Sequence, residues 1–332
     1  MSVFSGDPQA IVVLPPGAHG RVADPPQRRW LARGRLHYAE PSRELFLRVL
    51  QALGQPPPET GLAALRLWGQ TGKRPDAWVA AADPVYLEAM LNHVRVHALG
   101  VDELPQQQLW RLFDALQREF GDHGDQCDHR ALAFASVGSC GYLRGAGAIA
   151  TAAVSADCVH LAEPAEFLPQ GDAAGSHDQL IGELQLYLHA HPVNEQRRQA
   201  GLRPINSLWL WGGGESPQVE SRHPPPLFAD DPLYTGYWRS SGGQDAPWPA
   251  SLMTCLETAP DGFVAVCPAA SDAAGNRAMH ASLETLRVML SRGELCRVTL
   301  FFRDGLGVDL RRRDALRFWR RVPQLLTGGD AG

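Results

Sequence analysis

The chain has 332 residues, 31 Lys+Arg against 36 Asp+Glu, a formal net charge of −5 and an apolar fraction of 44%. That balance is globular and long enough for one or two domains with a sizeable core, which excludes a disordered chain; the acidic total argues against nucleic acid as a partner. No apolar run approaches the roughly 20 residues of a membrane span, and no basic segment precedes the short apolar run at 11–14, so neither a membrane anchor nor a signal peptide is expected and a cytoplasmic location is.

Taken in chain order, residues 11–14 read as a short buried strand ended by Pro15, Pro16 and Gly17. Apolar residues at 45, 46, 49, 50 and 53 predict a helix closed by Gly54, and Pro56 to Pro58 make a stiff connector. Residues 77–82 predict a strand ending at Asp83 and Pro84. Residues 106–120 are the clearest helix, with one stripe at 109, 112, 113, 116 and 120 before Gly121. Asp122, His123, Asp125, Asp128 and His129 have ligand types that suit zinc, but a polar loop after a helix explains them more cheaply. His19 reads as structural or solvated. The glycine-rich stretch 138–150 has no GxGxxG between a strand and a helix, so a dinucleotide site carries little weight.

Ser176 to Gln179 has capping-box spacing before a helix carrying Leu180, Ile181, Leu184 and Leu188. Asn194 is expected to cap a short helix over 195–200 that Gly201 ends. A strand over 207–211 runs into Gly212, Gly213 and Gly214. Residues 212–250, with 13 Gly and Pro in 39, read as a long loop. Strands at 263–267 and 297–302 and helices at 282–290 and 314–326 follow, the last with Leu316, Phe318 and Trp319 packed inward. Strand and helix alternate, so the fold class is α/β, a mainly parallel central sheet flanked by helices. The chain reads as a single domain over 1–332, with an inserted smaller subdomain around 85–170. The six cysteines, at 127, 140, 158, 255, 267 and 296, form no CxxC motif and read as reduced thiols, with Cys267 and Cys296 small buried hydrophobes. Of the 31 basic residues only Lys73 is a lysine, a bias of codons before chemistry; seven of the arginines fall in 303–321, read as a solvated face.

The most informative segment is 189–215, HAHPVNEQRRQAGLRPINSLWLWGGGE. Arg197, Arg198 and Arg203 cluster around the short helix, Trp209 and Trp211 share a strand face by period two, and three glycines stand at the strand's expected C-terminal end. In an open parallel sheet that end is where ligands bind. Arginines supply forked donors to phosphate or carboxylate, and glycines allow close approach. An anion pocket is therefore one reading of these residues. The other is a surface helix, two core tryptophans and a glycine turn.

The pattern HPVNxxRxxxGxxPxNSLWLWGGG resembles the RpfE-type bacterial regulatory family, itself related to archaeal-type cofactor-independent phosphoglycerate mutases of the alkaline phosphatase superfamily. A second stretch, residues 261–276 (DGFVAVCPAASDAAGN), is similar to the mutase strand that leads into an Asp-Glu-Ala-Gly-His motif. The resemblance implies a mutase-like fold. The mutases hold two divalent metals with Asp and His and use a serine as phosphoryl acceptor. Here Pro15, Pro16 and Gly17 stand where the first metal aspartate is expected, Asp272 matches the second motif but Asn276 stands in place of its histidine, and at the later Asp-His pair Arg303, Asp304 and Gly305 retain an aspartate but no histidine. A neutral amide is a poor substitute for imidazole on Mn or Zn.

The expectation is therefore a regulatory or ligand-sensing protein with no catalytic residues, no metal and no cofactor. It would bind a small phosphorylated or carboxylated ligand through His191, Asn194, Arg197, Asn206, Trp211, Gly212, Gly213, Gly214 and Asp272. Two alternatives stand beside it: an active phosphomutase or phosphatase with a rearranged metal site, and a protein–protein interaction module using the 212–250 stretch.

Overall fold

The computed structural model describes residues 6–15, 22–40, 44–100, 103–121, 132–145, 149–218, 223–269 and 272–327. In chain order the elements begin with β1 (Gln9–Val13), α1 (Pro25–Leu31), β2 (Arg35–Tyr38) and α2 (Leu45–Ala52). A middle stretch carries α3 (Leu62–Thr71), β3 (Val79–Ala89), β4 (Val94–Ala98), α4 (Gln106–Phe120), β5 (Leu132–Val137), β6 (Cys140–Gly145), α5 (Ala174–His189), α6 (Pro192–Gln199) and β7 (Ser207–Gly214). The last stretch adds β8 (Leu227–Ala229), α7 (Pro232–Ser240), β9 (Asp245–Ala246), α8 (Leu252–Thr258), β10 (Gly262–Val266), α9 (Asp272–Arg292), β11 (Arg297–Phe301), β12 (Leu306–Arg311) and α10 (Gln324–Thr327).

Two compact units result, Met1–Pro57 with Val219–Gly332, and Pro58–Gln218. The boundary falls within the expected proline connector. The second unit is wider than the expected insertion at 85–170, because β3 and β7 are sheet partners and draw their whole intervening chain into one body.

The first unit is built on a seven-stranded sheet in the order β2-β12-β11-β1-β10-β8-β9. Its pairings from β11 through β1, β10 and β8 to β9 are parallel, and β12 and β2 join antiparallel at the other edge. Parallel strands covered on both faces read as continuous apolar runs, and all five residues of β10 are buried. Ala10 and Val12 of β1, Val298 and Leu300 of β11, and Val308 and Leu310 of β12 enter one core with Met279, Leu283, Leu286 and Leu290 of α9.

The second unit holds a five-stranded antiparallel sheet. Val79 pairs with both β6 and β7, and Val85 with both β4 and β7. A strand has two edges, so β6 and β4 share the edge of β3 opposite β7. Pro84, which has no N–H to donate, falls in the gap between them, and β3 therefore runs on to Ala89 instead of ending at the expected Asp83 and Pro84. Leu208 and Leu210 of β7 pack with Leu109, Leu112, Phe113 and Leu116 of α4 and Leu180, Leu184 and Leu188 of α5. Each such leucine contributes roughly 1.5–3 kcal/mol by leaving water.

Two expectations fail here. Residues 212–250 are not a long loop, for they carry the end of β7, then β8, α7 and β9. Asp231 caps α7, accepting from Leu233 N at 2.9 Å, with Pro232 in the first turn and Leu233, Tyr234, Tyr237 and Trp238 buried. The expected helix over 314–326 is also absent. A 3-10 turn spans Arg312–Leu316, and Leu316, Phe318 and Trp319 are 72%, 77% and 67% exposed. Among the described cysteines, 140, 158, 255, 267 and 296 are free; Cys267 is buried, whereas Cys296 is only half-buried. No helix of the described residues is long and apolar enough to cross a membrane.

Candidate functional site

Eight of the nine residues singled out from sequence fall in the second unit. Asp272 falls in the first, as the opening residue of α9. His191, not Asn194, caps α6: its Nδ1 accepts from Val193 N at 3.2 Å, and Pro192, with no N–H to satisfy, takes the first helical position. The helix thus starts earlier than expected and leaves Asn194 inside its first turn. There the Asn194 amide donates to Leu188 O and Ile205 O and accepts from Ile205 N, each at 2.7 Å. Asn206 closes a ladder on β3, accepting from Leu87 N at 2.7 Å and donating to Leu87 O at 2.9 Å.

Arg197 is 0% exposed. Its Nε donates to Arg203 O (2.6 Å) and its Nη1 to Glu103 O (2.8 Å) and Gln108 Oε1 (3.0 Å), while Nη2 is buried without a partner. Burial holds its pKa below the usual value, against the pull of Glu103. Arg198 is exposed and pairs with Glu195. Trp209 donates to Val154 O and Trp211 to Asp83 Oδ2, at 2.9 and 2.6 Å.

Gly212, Gly213 and Gly214 belong to β7 itself rather than to a loop beyond it, and their sheet is antiparallel, so the parallel strand-end rule does not apply to them. Gly212 N donates to Ala152 O and Gly213 N to Thr151 Oγ1, both at 2.9 Å. A Cβ at Gly214 would lie 2.5 Å from Gly61 N. Gly212 and Gly214 admit the chain that opens α3, and the N–H groups of Gly212 and Gly213 are engaged within the protein.

The parallel strand ends of the first unit have a different character. Leu14 N donates to Phe301 O and Cys267 N to Val13 O, which locks the ends of β11, β1 and β10 side by side. Arg303, just past β11, donates from Nη2 to Cys267 O at 2.7 Å. Its guanidinium therefore reaches over the end of β1, which lies between β11 and β10. Its Nε is buried without a partner, as is the hydroxyl of the buried Tyr234. Burial pushes the Tyr234 phenol well above its usual range, Asp231 adds to this, and Arg303 pulls the other way.

Three carboxylates among the described residues near these ends hold backbone. Asp24, the first acid after β1, accepts from Gln27 N (3.0 Å); Asp230 from Trp248 N (3.1 Å); Asp304 from Leu306 N (3.2 Å). Among the described residues no three His, Cys, Asp or Glu side chains are grouped to hold a metal ion, so the described donors do not fit a two-metal site. Residues 122–131, with the Asp/His cluster, and His19 lie outside the described residues. Sequence reasoning met Arg303 at the position of a metal pair and among the arginines of a solvated face, not as a ligand-binding residue, and did not reach Tyr234. The available signal was an arginine directly after a strand expected in a parallel sheet.

No family model matches the chain. Over 58 residues, 18% of this chain, it is 41% identical to the probable 2,3-bisphosphoglycerate-independent phosphoglycerate mutase of Geobacter sulfurreducens, and over 58 residues 38% identical to the corresponding mutase of Methanothrix thermoacetophila. Those stretches span 14% and 15% of the relatives' lengths. Among solved structures, the PH0037 protein from Pyrococcus horikoshii aligns with a TM-score of 0.51 at 13% identity, over 98% of this chain and 99% of that one. A cofactor-independent phosphoglycerate mutase from Thermoplasma acidophilum aligns at 0.41 and 16% identity, over 92% and 90%. The fold is thus a mixed α/β one with central sheets flanked by helices. Within that class, the chain is distantly similar to the cofactor-independent phosphoglycerate mutases.

Proposed function

We propose that this chain is a cytoplasmic regulatory or ligand-sensing relative of the phosphoglycerate mutases that does not run metal-dependent phosphoryl transfer and binds a small phosphorylated or carboxylated molecule. The observation that carries this reading is Arg303. Where a parallel sheet presents its ligand-binding end, this chain has a guanidinium with an unspent Nε, while Asp24, Asp230 and Asp304 accept from backbone N–H groups of caps and turns. A guanidinium there suits an anion, whereas a metal pair needs clustered carboxylates and imidazoles. The free cysteines among the described residues suit a reducing compartment.

Calorimetry with 3-phosphoglycerate, beside metal analysis and a phosphatase assay, tests it. Binding to the wild type that Arg303→Ala abolishes is expected. Stoichiometric Mn or Zn with turnover overturns the reading, and loss of heat only in Arg197→Ala moves the pocket to the 191–214 segment.

A further inference from the structure

Beyond β12 the chain leaves the core with its large apolar side chains turned outward. Residues 311–321 read RRRDALRFWRR, six arginines and one acid. Leu316, Phe318 and Trp319 are all exposed, and the Phe318 and Trp319 rings meet edge to face at 5.4 Å. The turn that carries them is pinned. Arg311 N donates to Asp314 Oδ2 at 2.9 Å, and Arg317 Nη1 lies 3.0 Å from Asp314 Oδ1. Arg33, between α1 and β2, donates to Ala315 O at 3.2 Å, and Arg320 donates to Gly34 O. Val322 then packs against the apolar core and Leu326 is buried in it. The three apolar tips are thus held out between fixed points.

The charge around the tips has one sign. Asp314, the one acid in 311–321, is buried and paired with Arg317. With that pair set aside, Arg311, Arg312, Arg313, Arg320 and Arg321 remain, all exposed. The Arg320 bond goes to a neutral carbonyl and leaves its charge uncompensated. A chain of net charge −5 therefore carries one strongly positive, apolar-tipped turn. Its place in the sheet is fixed by topology. β12 runs antiparallel to β11, and Arg312 N donates to Cys296 O, just before β11, at 3.3 Å. The turn thus lies at the opposite end of the sheet from Arg303, which follows β11.

We propose that this turn binds the chain peripherally to an anionic lipid surface. Clustered arginines beside an apolar anchor suit phospholipid phosphates, to which guanidinium forks donate. Tryptophan and phenylalanine settle at headgroup depth, and exposed tips entering a bilayer need no matching cavity. A symmetric pairing of two copies through the turn would set like charges against each other. Nucleic acid would meet the arginines and leave Leu316 in water. Contact through this end of the sheet turns the Arg303 end away from the membrane, so the surface stands or falls separately from the ligand reading.

The test is co-sedimentation of the full chain with vesicles of phosphatidylcholine alone and of phosphatidylcholine with phosphatidylglycerol. Binding to the mixed vesicles that weakens in high salt is expected, with little binding to the neutral ones. Phe318→Ser/Trp319→Ser should weaken it about tenfold or more. Arg313→Gln/Arg321→Gln should weaken it about fivefold per charge removed. All four side chains are exposed, so both double variants should keep the wild-type circular dichroism and urea unfolding. Brominated lipid in the mixed vesicles should quench part of the tryptophan fluorescence, and Trp319→Phe should bind but lose that part. No binding to mixed vesicles, equal binding to neutral ones, indifference to both double variants, or quenching unchanged in Trp319→Phe overturns the proposal. So does a dimer that only the aromatic double variant dissolves, which gives the turn to a second copy. An RNA oligonucleotide bound more tightly than the vesicles overturns it as well.

Discussion

Asp83→Ala should be among the most damaging single changes in the second unit. Asp83 accepts from Arg66 Nη1 at 3.1 Å, Arg66 Nη2 at 2.9 Å and Trp211 Nε1 at 2.6 Å. Arg66 also donates to Gly141 O and Tyr142 Oη, both at 3.1 Å, and lies 4.8 and 5.1 Å over the Tyr142 and Trp211 rings. Burial is the largest single influence and alone would lower the Arg66 pKa; the charge and hydrogen bond of Asp83, together with Tyr142 and Cys140, raise it well above its usual value. Removing the carboxylate leaves a buried guanidinium uncompensated, which costs about 3–5 kcal/mol. Trp211→Phe keeps an aromatic ring but drops one hydrogen bond and part of the buried indole, for about 1–2 kcal/mol. The double variant should cost less than the sum, because the indole bond is already lost in Asp83→Ala. Since the chain has two compact units, hydrogen exchange read peptide by peptide is the assay, with the loss expected in β3 and β7. A cost below about 1 kcal/mol for Asp83→Ala, or an equal cost for Trp211→Phe, would refute the reasoning. If Trp211 instead anchors a ligand, Trp211→Phe should spare exchange protection and reduce the heat with 3-phosphoglycerate.

Three further outcomes follow from the same packing. Gly214→Ala drives a Cβ to 2.5 Å from Gly61 N, backbone that cannot swing aside; a loss of about 1–3 kcal/mol is expected in urea unfolding, and a neutral effect would mean that α3 can move away. His191 caps α6 through an unprotonated Nδ1, and burial first, then Arg118, lowers its pKa. The folded state therefore binds fewer protons than the unfolded one between that lowered pKa and about 6.5, so this stability is full above about pH 6.5 and is lost as pH falls toward the folded pKa. His191→Asn keeps a cap and should flatten the dependence of Val193 amide exchange on pH; an unchanged slope counts against the cap. Burial pushes the Cys255 and Cys267 thiols up to about 12, so a thiol-directed disulfide reagent at pH 8 should leave both unmodified in the native protein and label both in urea.

What was legible followed from local periodicity. Helix α4 appears at residues 106–120 because its apolar stripe and Gly121 are self-sufficient signals. The strands β10 and β11 appear within a residue of their expected ends, and β1 begins two residues early, because parallel strands need continuous apolar runs. What was not legible depended on partners distant in the chain. The three glycines look like a strand-end loop until β7 is seen to lie antiparallel to β3, more than a hundred residues away. The exposure of Phe318 and Trp319 likewise could not be read from a window that mixes apolar residues with arginines at near-helical spacing. The antiparallel edge of the seven-stranded sheet shows the same divide. Arg297, Thr299 and Phe301 alternate visibly with Val298 and Leu300, but only the register with β12 and β2 brings Asp309, Arg35 and His37 beside them.

This bears on what the resemblance in residues 191–214 transfers. Asn194 binds the chain at Leu188 and Ile205, Arg197 at Arg203, Glu103 and Gln108, Asn206 at Leu87, and Trp211 at Asp83. Each reaches a different segment, so together they set α6 and β7 against α4 and β3. A pattern with that role is kept by packing, because each buried amide or guanidinium orphaned by substitution costs about 1–3 kcal/mol or more. A shared His-Pro-Val-Asn and Trp-Gly-Gly-Gly pattern therefore carries fold information. The chemistry of the site has to be argued from groups that packing has not consumed. Among the described residues of the first unit such groups include the Nε of Arg303, the hydroxyl of Tyr234 and the Nε of Arg297, beside the acceptors Gln27 Oε1, Gln55 Oε1 and Glu294 Oε2.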